Sequence, residues 1–133
     1  ICAPDYPLAG LAEVTPKALV DYEYISREPG SATREVTEAY FLKHKVSPDS
    51  LKMQMELGSP EALKGVVATG LGFAIMASVA VEREVQQGQM VAIPLKPRLK
   101  RNIHLIYQQD RFRSRLADTF IKFAKIKLRE IAV

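Results

Sequence analysis

A strict alternation of apolar and polar residues runs from Leu51 to Leu57, where the sequence reads LKMQMEL. Because successive side chains of a strand point to opposite faces, this pattern predicts a strand with one buried face. A shorter alternation of aromatic and polar residues over Tyr22–Ser26 predicts another strand. The run Phe73–Ala77 is continuously apolar and predicts a strand that is covered on both faces.

Helical spacing of apolar residues is clearest near the end of the chain, from Ser114 to about Ile131, and predicts the longest helix. Shorter helices are predicted from Thr15 to about Asp21, Ser31 to Lys45, Ser59 to Thr69 and Ser78 to Gln87. Further strand segments are predicted at Ile1–Ala3, Met90–Leu95 and Ile103–Tyr107. Strands that alternate with helices favour an α/β fold with helices on the faces of a sheet.

Two predicted helix starts are candidates for binding chemistry. Gly30, Ser31 and Thr33 open one helix, and Gly58-Ser59-Pro60 opens the next. Free backbone N–H groups and hydroxyls at a helix start favour a carboxylate, sulfate or phosphate group. The alternative is plain N-capping by Ser31 and Ser59, and we expect capping in either case. If the preceding strands are parallel neighbours, both starts lie at the same edge of the sheet.

Gly70-Leu71-Gly72 does not fit a dinucleotide-binding loop, because a third glycine is missing and a strand follows instead of a helix. We interpret Gly70 as a left-handed helix terminator and Gly72 as a residue that eases the turn. His44 and His104 are far apart in sequence, and no acid–base pair stands out. We therefore expect no metal, no cofactor and no catalytic residue.

Composition and charge fit one soluble domain. The 133 residues are 47% apolar and 26% charged, and no apolar run is long enough for a membrane span. The single cysteine, Cys2, fits a cytoplasmic location, and a chain that begins at Ile1 is expected to be a fragment.

The net charge of +4 divides into −4 over residues 1–95 and +8 over residues 96–133. We interpret the basic residues near the end of the chain as the solvent-exposed face of a helix and not as a DNA contact.

Arginines beside the helix starts have two interpretations. Arg27 with Glu28, and Arg34 with Glu35, are candidates for surface ion pairs that add little stability. Alternatively, either arginine attracts an anion toward the site, which is the less favoured interpretation.

Several segments in order resemble one protein family. They read CAPDYPLA, ISREPGSATREV, MELGSPEALKGVVATGLGFAIMASVAVE, QGQMVAIPL and RNIHLIY, followed by the terminal amphipathic helix. Together they resemble the second half of the effector-binding domain of LysR-type transcriptional regulators, over nearly the whole chain.

The resemblance implies a type 2 periplasmic-binding-protein-like fold with a mixed, mostly parallel sheet and flanking helices. Residues 1–100 would form effector-binding subdomain II, and residues 101–133 the hinge strand and terminal helix of a truncated subdomain I. The implied effector is a small organic acid or oxyanion. The implied effector-binding residues are Ala3, Gly30, Ser31, Thr33, Gly58, Ser59 and Pro60.

The resemblance also implies partners. DNA would be contacted only through an absent N-terminal helix-turn-helix domain, and the helix over Ser31–Lys45 would take part in a dimer. The apolar side of the terminal helix predicts a homo-oligomer, because exposed apolar surface of this extent rarely persists in a monomer. Two alternatives remain open at this stage: a solute-binding module of a transport system, and an enzyme on the same fold.

Overall fold

A computed structural model of the chain describes residues 1–102, 104–107 and 114–131, with side chains described up to residue 128. It divides into two compact units, Ile1–Arg101 and Asn102–Val133. The strands are β1 (Glu23–Arg27) and β2 (Lys52–Leu57). The helices are α1 (Pro16–Leu19), α2 (Ala32–Lys43), α3 (Pro60–Ala68), α4 (Glu82–Gln86) and α5 (Arg115–Ile131).

Strand β1 is the centre of the first unit. It pairs in parallel with β2 and, through Tyr24, forms a parallel bridge to Phe73 on its other side. Neighbouring residues of β1 point to opposite faces. Tyr24 packs with Phe41 of α2 in one apolar cluster, and Ile25 packs with Leu63 of α3 in another. Helices α2 and α3 therefore cover the two faces of β1.

Strand β2 corrects one prediction from the sequence. Its position is as predicted, but the expected buried face does not form: Met53 and Met55 are 39% and 40% exposed, while Leu51, just before the strand, is buried. The α3 and α2 side chains pack chiefly over β1 and leave β2 at the edge. The alternation therefore predicted the position of the strand correctly, but it did not predict how little of the strand the helices bury.

Three of the predicted strands form only in part. The segment that begins at Phe73 is buried only as far as Ala74, and it makes a single bridge to β1. The predicted burial on both faces therefore ends at Ala74. Residues 1–3 and 90–95 contribute single bridges, Cys2 with Val91 and Leu95 with Val14.

The predicted strand Ile103–Tyr107 is wrong for the residues that the structure describes. Residues 104–107 are not in a strand, and Ile103 lies outside the described residues.

The helices agree closely with the pattern. The predicted helix over Ser78–Gln87 is divided at buried Val81 into a 3-10 turn, Ser78–Ala80, and α4. Gly70 has a φ of 81° and ends α3 as predicted. In α5 the apolar residues Leu116, Phe120 and Phe123 lie at helical spacing and are 57–80% exposed. The Ile131 side chain lies outside the described residues.

Gly72 has a different role from the one predicted. A Cβ atom at this position would lie 2.5 Å from the carbonyl oxygen of Glu23. The approach is this close because the Phe73 N–H donates to that same oxygen at 2.9 Å. Gly72 is therefore required by the contact between two backbones and not by the turn.

We expect Gly72→Ala to lower the free energy of unfolding by about 1–3 kcal/mol, because the added methyl group must displace β1 backbone. Gly65→Ala is the matched control. Gly65 lies within α3 with open space where a methyl group would be added, so alanine there should stabilise by about 0.5–1 kcal/mol. Urea denaturation followed by circular dichroism measures both, and equal effects of the two substitutions would contradict the assignment.

Candidate functional site

The two predicted helix starts lie at the same edge of the sheet. The last residues of the strands, Arg27 and Leu57, are paired in register, and the Glu28 N–H donates to the Leu57 carbonyl at 3.2 Å. Helix α2 follows β1 and α3 follows β2 after turns of only a few residues. Both helices therefore begin beyond the carboxyl ends of two adjacent parallel strands, where open α/β sheets bind their ligands.

The start of α2 has no side-chain cap, which corrects the prediction that Ser31 caps it. Gly30 adopts a φ of 85°, and the Ser31 N–H closes a turn onto the Glu28 carbonyl at 3.2 Å. This turn fixes Ser31, which is only 8% exposed, so that its hydroxyl does not reach the first-turn amides. Among described residues the hydroxyl has no hydrogen-bond partner.

Three backbone N–H groups remain open at this start. Those of Ala32, Thr33 and Arg34 have no partner among the described residues, whereas the Glu35 N–H already donates to the Ser31 carbonyl at 3.0 Å. Open amides and the helix dipole together place partial positive charge at this point. The arrangement suits a small anion that accepts hydrogen bonds.

The start of α3 is capped by a side chain, as predicted from Ser59. The Ala62 N–H donates to Ser59 Oγ at 3.1 Å, and Pro60 has no N–H to offer. Both helices carry one carboxylate in the first turn, Glu61 in α3 and Glu35 in α2, so the open amides distinguish the two starts. Of the two starts, that of α2 is therefore the better place for an anion.

Arg27 is held by its neighbour Glu28, as one interpretation of the sequence predicted. Its guanidinium donates to both carboxylate oxygens, at 2.7 and 2.8 Å, and to the Leu57 carbonyl at 3.2 Å. These hydrogen bonds raise the pKa of Arg27 and lower the pKa of Glu28. The charge of Arg27 is therefore already compensated within the protein.

Arg34 does not pair with Glu35, so that predicted surface pair is wrong. It donates to Glu38 one helical turn further along α2, at 2.7 Å, and also to Glu56 of β2. Glu35 lies one position along the helix from Arg34, where side chains do not face each other. Hydrogen bonds to Glu38 and then Glu56 raise the pKa of Arg34.

The sequence pattern did not identify Arg101 as a candidate site residue. Its Nη1 atom lies 3.4 Å from Oγ1 of Thr33, in the first turn of α2. The available signal was the basic cluster over residues 96–101, which reads KPRLKR. A contact across 68 residues cannot be inferred from that cluster alone.

The structure does not bring Ala3 to the other six predicted site residues. Ala3 is 1% exposed and lies beside Gly70, where its Cβ would be 4.0 Å from one built on that glycine. Gly70 follows the far end of α3, about 14 Å along the helix from Ser59. Gly30, Ser31, Thr33, Gly58, Ser59 and Pro60 gather at the carboxyl edge.

A partly open hollow of the first unit lies away from these helix starts. It is lined mainly by apolar side chains, among them Leu8, Val14, Ile75 and Leu95, and includes none of the predicted site residues. The polar groups that would orient an anion are at the helix starts, so we place the candidate site there. In the described residues there is neither a cluster of metal-ligating side chains nor a helix able to span a membrane.

Comparison with known proteins gives the family context. The family model described as "LysR substrate binding domain" matches residues 1–129. A RuBisCO operon transcriptional regulator of Acidithiobacillus ferrooxidans is 37% identical over 92 residues, which are 69% of this chain and 29% of the relative. The uncharacterized HTH-type transcriptional regulator YeiE of Escherichia coli K12 is 36% identical over 123 residues, which are 91% of this chain and 40% of the relative.

A solved structure shares the fold. The regulatory domain of CcmR from Synechocystis PCC6803, in complex with 2-PG, superposes with a TM-score of 0.74 at 27% identity, over 92% of this chain and 58% of that one. The predicted fold class is thereby confirmed. The chain spans less than half the length of the two curated relatives.

The two serines should differ in their effect on stability. We expect Ser59→Ala to lower the free energy of unfolding by about 0.5–2 kcal/mol, because it removes a side-chain cap. Ser31→Ala removes no cap and should change stability by less than about 0.5 kcal/mol. Urea denaturation of both variants measures the difference, and a loss at Ser31 equal to that at Ser59 would show that Ser31 also acts as a cap.

Proposed function

The chain belongs to the LysR substrate-binding domain family, and we propose that it senses a small anionic effector for a transcription regulator. The bound effector would modulate DNA binding by an N-terminal helix-turn-helix domain. The relatives described above carry the names of transcriptional regulators, which favours regulation over the transport alternative. Those names also give no support to an enzyme on this fold.

The observation that carries the proposal is the uncapped start of α2. Three open amides and the unpartnered hydroxyl of Ser31 stand beside the end of β1, and a ligand that accepts hydrogen bonds would satisfy them. The effector-binding residues would be Gly30, Ser31 and Thr33, with Gly58, Ser59 and Pro60 forming the adjoining wall. The complex of the CcmR regulatory domain with 2-PG supports a small-molecule ligand for this family.

We assign residues 1–100 to effector-binding subdomain II, and residues 101–133 to the hinge segment and terminal helix of subdomain I. The effector would bind one conformation of the regulator more tightly than another. Its binding then shifts the population toward that conformation, which alters how an oligomer holds DNA.

The test is effector binding by the full-length product of the gene that encodes this chain. Thermal-shift screening against 2-PG, inorganic phosphate, sulfate and small carboxylic acids identifies an anion that binds. We expect Ser31→Ala to weaken binding of that anion about tenfold, as loss of a hydrogen bond to a charged group does. Ser47→Ala is the control, since Ser47 also begins a helical turn without capping it but precedes β2 at the opposite end of the strand.

Unchanged affinity in both Ser31→Ala and Ser59→Ala would place the effector elsewhere. Calorimetric titration gives the affinities. Circular dichroism of each variant confirms that the fold is retained.

We also propose that α5 takes part in a homo-oligomer. Its apolar residues Leu116, Phe120 and Phe123 are 80%, 60% and 57% exposed, which is unusual for contiguous aromatic and aliphatic side chains. A second copy of the chain would cover this face, by packing or by exchange of the helix.

A polypeptide of residues 1–133 should therefore elute as a dimer or larger species in size-exclusion chromatography with light scattering. Phe120→Glu should shift it toward monomer, because a charge cannot be buried in an apolar contact without large cost. Lys122→Glu on the same helix should leave the mass unchanged. A clean monomer of the unmodified polypeptide at high concentration would contradict the proposal.

A further inference from the structure

The segment Lys96–Arg101 returns along α2 toward the candidate site. Tyr40 Oη donates a hydrogen bond to the Pro97 carbonyl at 2.6 Å, and Arg101 Nη1 approaches Thr33 Oγ1 at 3.4 Å. Thr33 and Tyr40 are seven residues apart, so they lie on one face of α2 about 10 Å apart along its axis. The segment therefore runs antiparallel to α2 and ends with Arg101 at the first turn.

Arg101 has no carboxylate partner among the described residues, in contrast to the other two arginines of this edge. Arg27 is paired with Glu28, and Arg34 with Glu38 and Glu56. The contact that Arg101 makes with Thr33 is to a neutral hydroxyl, and the arginine is exposed. Its positive charge is therefore available to a ligand.

Tyr40 gives this segment a defined attachment. The residue is 5% exposed, and its ring lies 5.9 Å from the ring of Phe41 and 4.5 Å from that of His44, between centroids. Burial raises the pKa of the phenol, which keeps the hydroxyl protonated as a donor. A fixed ring holds the Pro97 carbonyl, four residues before Arg101, in one place.

We propose that Arg101 is an effector-binding residue that pairs with the carboxylate or phosphate group of the effector. Tyr40 is a positioning residue that acts through Pro97. The proposal rests on the proposed function and adds the charged contact that the helix start lacks. A guanidinium presents two parallel N–H donors to such a group, while the α2 amides bind its other oxygens.

Ser31 supplies an independent observation at the same place. Its hydroxyl is unpartnered among the described residues although more than nine-tenths of the residue is buried. The described residues include no fully buried side-chain oxygen without a partner, so the Ser31 oxygen keeps an opening to its surroundings through which a ligand can reach it. Arg101, Ser31 and the open α2 amides thus all lie at the first turn of α2.

The experiment uses the full-length protein and whichever of 2-PG, inorganic phosphate, sulfate or small carboxylic acids binds it in calorimetric titration. Arg101→Ala should weaken that binding at least tenfold and reduce the dependence of affinity on salt concentration. Arg101→Lys should recover only part of the loss, because an ammonium group cannot form the paired contact. Arg98→Ala removes an exposed arginine of the same segment and should change affinity less than twofold.

Tyr40→Phe keeps the buried ring and removes the donor. It should weaken binding several-fold in the unmodified protein but cause no further loss when combined with Arg101→Ala. If Tyr40 has a purely structural role, Tyr40→Phe weakens binding equally in the unmodified protein and in the Arg101→Ala variant. That result would overturn the positioning role.

The possible failures are distinguishable. If the wild-type protein binds none of these anions, both the proposed function and this inference are contradicted. If an anion binds and Ser31→Ala weakens it while Arg101→Ala does not, only the role of Arg101 is overturned.

Discussion

The parallel pairing of β1 with β2 is the constraint on which the rest of the first unit depends. It aligns Arg27 with Leu57, so both strands end at the same edge of the sheet. The helix that follows each strand therefore begins at that edge. Since parallel strands require a crossover connection, α2 has to return the chain along the face of the sheet before β2 can start. The same geometry covers β1 on two faces with apolar clusters and leaves β2 at the margin.

Charge at this edge is arranged so that most of it is compensated internally. The guanidinium groups of Arg27 and Arg34 hold three carboxylates, those of Glu28, Glu38 and Glu56. Both guanidinium groups are thus already engaged by carboxylates close to the helix starts. The groups that can still attract an anion are the α2 amides, through their partial charge, and Arg101, through its full charge.

Local signals made much of this arrangement predictable. Pro and Ser or Thr at helix starts, Gly at helix ends and the two periodicities predicted β1, β2 and all five helices to within a few residues, apart from the break at Val81. The parts that could not be predicted depend on contacts between distant residues. The exposure of Met53, the missing cap at Ser31, the approach of Gly72 to Glu23 and the position of Arg101 are all set by packing partners that no local pattern identifies.

The absent cap at Ser31 has a consequence for the dynamics of α2. A helix whose first amides lack acceptors frays more readily, and its opening is visible as faster amide hydrogen exchange. A ligand that accepts those three hydrogen bonds satisfies the first turn of α2. Binding of the ligand and ordering of that turn are therefore coupled. Since α2 also holds Pro97 through Tyr40, that ordering extends along the return segment, so the empty and filled states differ in rigidity even where their backbones coincide.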